Sequence, residues 1–198
     1  MAGSHPLVIA IAGPNGAGKS TTAPSLLRDA LQVSEFVNAD AIAGGLSAFR
    51  PDSVAIPAGR AMLERLRQLA RARADFAFET TLASKSFAPW LTRLKHGGYH
   101  VHVMFLWLES ADLAVNRVAV RVRLGGHDVP EVTVRRRYAR GLRNLLGLYL
   151  PITDSWQVFD NSRVGRPRLI AAGRGERAER IAKASAWQRI TETYREQP

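Results

Sequence analysis

Residues 13–22 read GPNGAGKSTT, a glycine-rich turn ending in a lysine and three hydroxyls, and the apolar run LVIAIA from Leu7 to Ala12 leads into it. Gly13, Gly18, Lys19 and Ser20 fit the pattern G-x-x-x-x-G-K-[ST]. In that pattern successive backbone N–H groups wrap nucleotide phosphates, the lysine reaches the terminal ones, and the serine hydroxyl ligates Mg²⁺. The flanks agree, because a β-rich run precedes the loop and a helix-compatible run, TTAPSLLRDAL, follows it and aims a positive helix end at the anion. The stretch therefore predicts ATP or GTP binding through Gly13, Pro14, Asn15, Gly16, Ala17, Gly18, Lys19, Ser20 and Thr21, with Ser20 as the Mg²⁺ ligand.

Outward from the loop, four more apolar runs alternate with helical stretches: EFVN at 35–38, DFAFE at 75–79, HVHVMFLWL at 100–108 and WQVFD at 156–160. A β-α repeat of this kind predicts an α/β fold with a parallel sheet covered on both faces. Met62, Leu63, Leu66, Leu69 and Ala70 share one helical face. Ser110 is placed to cap a helix with the stripe Val115, Val118, Ala119 and Val122, which leaves Arg117 and Arg121 together on another side. Gly125 and Gly126 end that helix, and Asp128 with Glu131 reads as a capping box for the next, whose core positions are Val134, Tyr138, Leu142, Leu145 and Tyr149. After Asn161 the pattern weakens. RLIAAG reads as an edge strand, the following Gly/Arg stretch as a surface loop, and Ile181, Trp187, Ile190 and Tyr194 as a closing helix with a frayed tail.

With 198 residues the chain suits a single P-loop domain with a lid at about 121–131 and a variable segment at 163–198. No cysteine is present, which excludes disulfides and thiolate metal sites. VMFLWL at 103–108 is too short to span a bilayer, so a soluble, cytoplasmic protein without a membrane partner is expected. MAGSHP reads as carrying a cloning remnant and is left out of the fold reasoning. The net charge of +11 would attract anions. Scattered arginines such as Arg28, Arg50, Arg60, Arg93 and Arg174 read as composition bias rather than a nucleic-acid stripe, which argues against a nucleic-acid partner.

The remaining residues choose among P-loop machines. A transporter-type signature segment and a strand ending in Asp-Glu are missing, and the last parallel strand ends in FDNS rather than a guanine-reading motif. Asp40 ends the second strand in FVNAD, where strand ends converge on the ligand crevice. A carboxylate there orients and deprotonates an acceptor hydroxyl, or it serves as a helix N-cap. Glu79, at the end of an apolar central strand, needs a partner: a Mg²⁺-bound water, an arginine or a substrate hydroxyl. Thr80 and Thr81 are substrate donors or turn caps. Arg117, Arg121 and Arg123 stand where a closing lid could lower guanidinium groups onto the transferring phosphoryl group, with a solvated helix face as the alternative. His127 reads as a polar lid residue, and His100 and His102 stand too isolated for zinc.

Together GPNGAGKSTT, VNADAIAGGLS, FAFETTLAS and RVAVRVRLGGHDVPEVTVRRRYARGLRNL resemble the zeta toxin family of P-loop kinases, over residues from about Leu7 to Ser162. The resemblance implies five parallel strands in the order 2-3-1-4-5 in a three-layer sandwich with a short lid. It implies ATP- and Mg²⁺-dependent phosphorylation of a sugar hydroxyl, in well-studied members that of UDP-N-acetylglucosamine. It further implies Lys19 and Ser20 at phosphate and Mg²⁺, Asp40 as general base, Glu79 as a substrate-contacting acid, two lid arginines among Arg117, Arg121 and Arg123, and Asn161 near adenine; an antitoxin is a candidate partner that the sequence does not itself show. FETT stands where the larger toxins have a glycine-containing segment. A nucleotide-dependent switch with water as acceptor, and a polynucleotide kinase, are the alternative readings.

Overall fold

The computed structural model describes residues 5–25, 27, 32–48 and 50–194. Met1 to Ser4, Arg28 and most of the LLRDAL run lie outside the described residues, as does the tail from 195.

The five expected strands are β1 (Leu7–Ala12), β2 (Glu35–Val37), β3 (Phe76–Thr80), β4 (His100–Trp107) and β5 (Ser155–Asp160). They pair in parallel in the order β2-β3-β1-β4-β5. Two further strands, β6 (Arg168–Arg174) and β7 (Arg177–Ile181), continue the sheet antiparallel, making seven. RLIAAG is therefore not the edge. The predicted Gly/Arg surface loop is a hairpin and β7, and Ile181 belongs to that strand, half exposed, rather than to the closing helix. The sequence hid β7 because an outer strand has no second neighbour to bury against, and RAERI carries the charges that protect a sheet edge. Trp156 anchors the hairpin by donating its indole N–H to the Gly175 carbonyl at 2.8 Å.

Alternation along β1 sorts the core. Val8, Ala10 and Ala12 face a large cluster fed by α2 (Ala39–Leu46), α3 (Ala55–Arg71), α4 (Phe87–His96), α5 (Ala111–Arg123), α6 (Glu131–Asn144), α7 (Leu150–Ile152) and α8 (Ala184–Tyr194). Ile9 and Ile11 face a smaller cluster closed by Leu27 and by Ala23 of α1 (Lys19–Ser25). Helices thus lie on both faces, very unequally. On the thinner side His100 and His102 both meet the Ser155 hydroxyl at 2.8 Å, above a groove of about 490 Å³.

Helix ends follow elementary capping in most places. Ser110 Oγ accepts from the Leu113 N–H at 3.1 Å, and the positive φ of Gly125 ends α5. The Asp128–Glu131 capping box does not form. Pro130 occupies the cap, its φ of −52° already suited to helix entry, and α6 starts at Glu131, so Asp128 stands too early to reach the first turn. Val134, Tyr138, Leu142, Leu145 and Tyr149 are all buried, as expected, while Leu63 of α3 is 43% exposed.

α6 lies hard against the loop after β3. A Cβ added to Gly141 would sit 2.6 Å from the Thr81 carbonyl oxygen. Asn144 donates to the Leu82 carbonyl at 2.7 Å, and Tyr149, in the π-turn after α6, donates to the Ser84 carbonyl at 2.6 Å. Leu82 itself is fully buried with φ of 54°, a left-handed geometry that persists only where its surroundings over-determine it. Gly141→Ala is expected to cost roughly 1–3 kcal/mol in urea unfolding, because backbone rather than a yielding side chain fills the space. Gly147→Ala, with nothing within 4 Å of the new Cβ, should be neutral or gain up to about 1 kcal/mol.

Burial, and then the neighbouring His100, push the His102 imidazole down from 6.5 to about 4. The folded state prefers the neutral ring, so this contribution is fully present above pH 6.5 and is lost as pH falls from there through about 4. A loss of at most about 3 kcal/mol is expected over that window, flattened in His102→Gln. A proton titration of the ring by NMR reads the same quantity directly.

Candidate active site

The turn from Gly13 to Gly18 hands β1 to α1, with the Ala17 N–H closing on the Pro14 carbonyl at 3.1 Å. At Gly18 the backbone has φ of 77°, and a Cβ would stand 2.9 Å from Asn161 Nδ2. Asn161, just past β5, uses that gap to donate to the Ala17 carbonyl at 2.7 Å, fastening the loop from behind.

Lys19 is 6% exposed and its ammonium donates to the Pro14 carbonyl at 3.0 Å. It also pairs with Glu79 Oε1 at 3.5 Å. Burial pushes the ammonium pKa down, and the attraction of Glu79, then of Asp40, opposes that. Glu79 reaches this corner because its register partner in β1 is Ile11, two residues before Gly13. Its Oε2 accepts from the Ser20 hydroxyl at 2.7 Å and from Asn38 Nδ2 at 2.6 Å. Placing this acid on an apolar strand is tolerable because Lys19, Ser20 and Asn38 each offer it a proton donor.

Asp40 is not the helix cap. Asn38 is, its Oδ1 accepting from the Asp40 N–H at 2.7 Å and the Ala41 N–H at 3.1 Å. Asp40 sits in the first turn of α2 with its carboxylate exposed and, among the described residues, without a hydrogen-bond or ion-pair partner. It lines a cavity of about 360 Å³ together with Asn15, Lys19, Glu79, Thr80 and Thr81. Thr80 and Thr81 cap their own turn, accepting from the Leu82 N–H at 3.1 Å and, more weakly, the Ala83 N–H at 3.4 Å.

The arginines divide differently from expectation. Arg117 donates to the Asn161 and Ser162 carbonyls at 2.8 and 2.9 Å, a bidentate tie between α5 and the end of β5. Arg121 donates to the His127 carbonyl at 2.6 Å, while its Nε is buried with no partner among the described residues. Arg123 is exposed. None of the three lines the cavity; Arg136, Arg137 and Arg140 of α6 do, and Arg137 stands 3.5 Å from Asn15 Oδ1. The sequence held a signal for them. In RRRYAR the buried Val134, Tyr138 and Leu142 fix the core face, so 136, 137 and 140 must lie off it, and the α6 core stripe was already legible.

The AAA domain family matches residues 8–141. This chain belongs to it. The chain is 30% identical, over 126 residues, to an uncharacterized protein of Haemophilus influenzae (strain ATCC 51907 / DSM 11121 / KW20 / Rd), an alignment covering 64% of this chain and 88% of that one. The structure of this chain resembles that of the AvrRxo1-ORF1:AvrRxo1-ORF2 complex with sulphate ions (TM-score 0.74, 17% identity), covering 96% of this chain and 64% of that chain. It also resembles the PezAT chromosomal toxin-antitoxin system of Streptococcus pneumoniae (TM-score 0.68, 17% identity, 96% and 80% covered) and a gluconokinase of Sinorhizobium meliloti (0.51, 19%, 80% and 85%). These likenesses show an α/β P-loop kinase fold. The chain spans 64% of the AvrRxo1 chain's length. Among its described residues no helix is long and apolar enough to cross a membrane.

Asn161→Ala is expected to leave the Ala17 carbonyl short of a partner, costing about 1–3 kcal/mol in stability and weakening ATP binding measured by calorimetry.

Proposed function

We propose that this protein is a kinase that moves the terminal phosphate of ATP onto a hydroxyl of a small molecule. The observation that carries the reading is the exposed Asp40 carboxylate, without a hydrogen-bond or ion-pair partner among the described residues, in the same cavity as Lys19 and three arginines of α6.

In this mechanism the acceptor hydroxyl lies between Asp40 and the terminal phosphorus. Asp40 takes its proton as the oxygen forms the new P–O bond, and the bond to the bridging oxygen breaks, releasing ADP. Lys19 and the loop N–H groups hold the phosphates. Arg137 and its neighbours on α6 supply donors for charge that spreads over the phosphoryl oxygens, a task suited to planar guanidinium groups. Glu79 offers an acceptor to the substrate or to a metal-bound water.

The corner where the Ser20 hydroxyl and the Glu79 carboxylate meet fits Mg²⁺, since two hard oxygen ligands converge there, with Asn38 Nδ2 holding the carboxylate in place. Bound there, Mg²⁺ would neutralise phosphate charge. The acceptor class that agrees with the zeta-toxin-like fold is a nucleotide sugar such as UDP-N-acetylglucosamine. An antitoxin partner and a cytoplasmic setting belong to the same reading.

Incubation with ATP labelled on its terminal phosphate and a mixture of nucleotide sugars should put label into an organic product. Asp40→Asn is expected to lower that transfer at least 100-fold with folding unchanged by circular dichroism (about 10²–10⁴-fold for a general base), and Lys19→Ala to abolish it. Arg137→Ala should lower kcat about 10–1,000-fold, whereas Arg123→Ala should stay within about twofold. Label released only as free phosphate, equally in the Asp40→Asn protein, would instead favour the switch with water as acceptor.

A further inference from the structure

Asn38 was not among the residues singled out from the sequence, yet it is the point where three elements meet. It follows β2 and is 8% exposed. Its amide is fully committed: Oδ1 accepts from the Asp40 and Ala41 N–H groups at 2.7 and 3.1 Å, while Nδ2 donates to Glu79 Oε2 at 2.6 Å and faces the Ser20 hydroxyl at 3.3 Å. The orientation is forced, because a flipped amide would set its NH₂ against two backbone N–H donors.

The strand before it gives this amide its importance. β2 is three residues long, at the sheet edge, and pairs with β3 only through Glu35, Phe36 and Val37. So short a ladder holds α2 weakly, and α2 carries Asp40. The amide ties the start of α2 to Glu79 on β3 and to Ser20 on α1, fixing the exposed acid relative to the phosphate-binding turn.

We propose that Asn38 is a positioning residue, holding Ser20 and Glu79 in the arrangement that receives Mg²⁺ and, through the cap of α2, aiming Asp40 at the acceptor. This rests on the kinase reading for the role of Asp40, but the part concerning Ser20 and Glu79 concerns metal and nucleotide alone. Without the Nδ2 donor, Glu79 keeps the Ser20 hydroxyl and the Lys19 ammonium as its partners. Its carboxylate then closes on Lys19, 3.5 Å away, drawing that ammonium off the phosphates.

The test separates capping from donation. Serine is a good N-cap but too short to reach Glu79, so Asn38→Ser keeps one function and removes the other, while Asn38→Ala removes both. In Asn38→Ser the melting temperature should stay within about 4 °C of the unaltered protein. The Mg²⁺ concentration for half-maximal binding of a non-hydrolysable ATP analogue should rise about tenfold, with metal-free analogue affinity within about twofold. Turnover of ATP, to an organic acceptor or to water, should fall about 10–100-fold at a nearly constant KM for ATP, the pattern of a lost transition-state interaction. An Asn38→Ser protein with unchanged Mg²⁺ requirement and turnover would overturn the proposal and leave Asn38 a helix cap.

A second measurement needs no variant. The Asn38 side-chain amide protons should exchange slowly with solvent and shift when Mg²⁺ is added with the analogue, but not with the analogue alone. Free exchange and no shift would overturn the proposal even if the variants fail to fold. If the metal-dependent results hold while Asp40→Asn still transfers label, the kinase reading of Asp40 fails and the holding of Ser20 and Glu79 by Asn38 stands.

Discussion

The site depends on two opposite charges that neither strand nor helix could bury alone. Lys19 lies at the first turn of α1 and Glu79 at the end of an apolar central strand, and they meet at 3.5 Å. Removing either partner of such a pair costs about 3–5 kcal/mol, because the other is left buried without compensation. The pair is nonetheless not closed. Lys19 spends one proton on the Pro14 carbonyl, and Glu79 takes donors from Ser20 and Asn38, so neither group is neutralised by the other alone. Burial pushes the lysine's pKa down, which makes an incoming phosphate a welcome source of negative charge. Anion binding is thereby coupled to the carboxyl ends of β1 and β3.

Around that corner the fold works by fastening backbone. Asn161 holds the turn from behind through Ala17, Arg117 ties α5 to the residues after β5, and α6 with the π-turn that follows it grips the loop after β3 at Thr81, Leu82 and Ser84. The grip of α6 has a chemical consequence, since the helix that buries Gly141 against Thr81 also brings Arg136, Arg137 and Arg140 to the cavity. An arginine's long stem lets its head reach a phosphate while the helix itself stays packed.

The phosphate-binding turn, the five parallel strands and their order were legible because each rests on local signals: glycine spacing, apolar runs and their β-α alternation. Asp40 was legible as a strand-end acid, though Asn38 rather than Asp40 took the cap, since a side chain two residues earlier reaches the same free N–H groups. What escaped depends on tertiary placement. β7 shows no apolar alternation because it buries against one neighbour only, and the Asp128 box failed because Pro130 set the helix start. The arginines of α5 and α6 look alike in sequence. Only the docking of α6 on the β3 loop decides which set lines the cavity.

The central claim is spatial: the terminal phosphate of ATP held at Lys19 lies opposite Asp40, with room for one hydroxyl between them. A crystal structure with Mg²⁺ and a non-hydrolysable ATP analogue tests it most directly. The account predicts a terminal phosphate oxygen within hydrogen-bond reach of Lys19 Nζ, the Asp40 carboxylate about 6 Å from the terminal phosphorus, and Arg137 drawn from Asn15 onto the phosphate. An Asp40 side chain turned to bulk solvent more than about 10 Å from that phosphorus, with no acceptor path between, would contradict it.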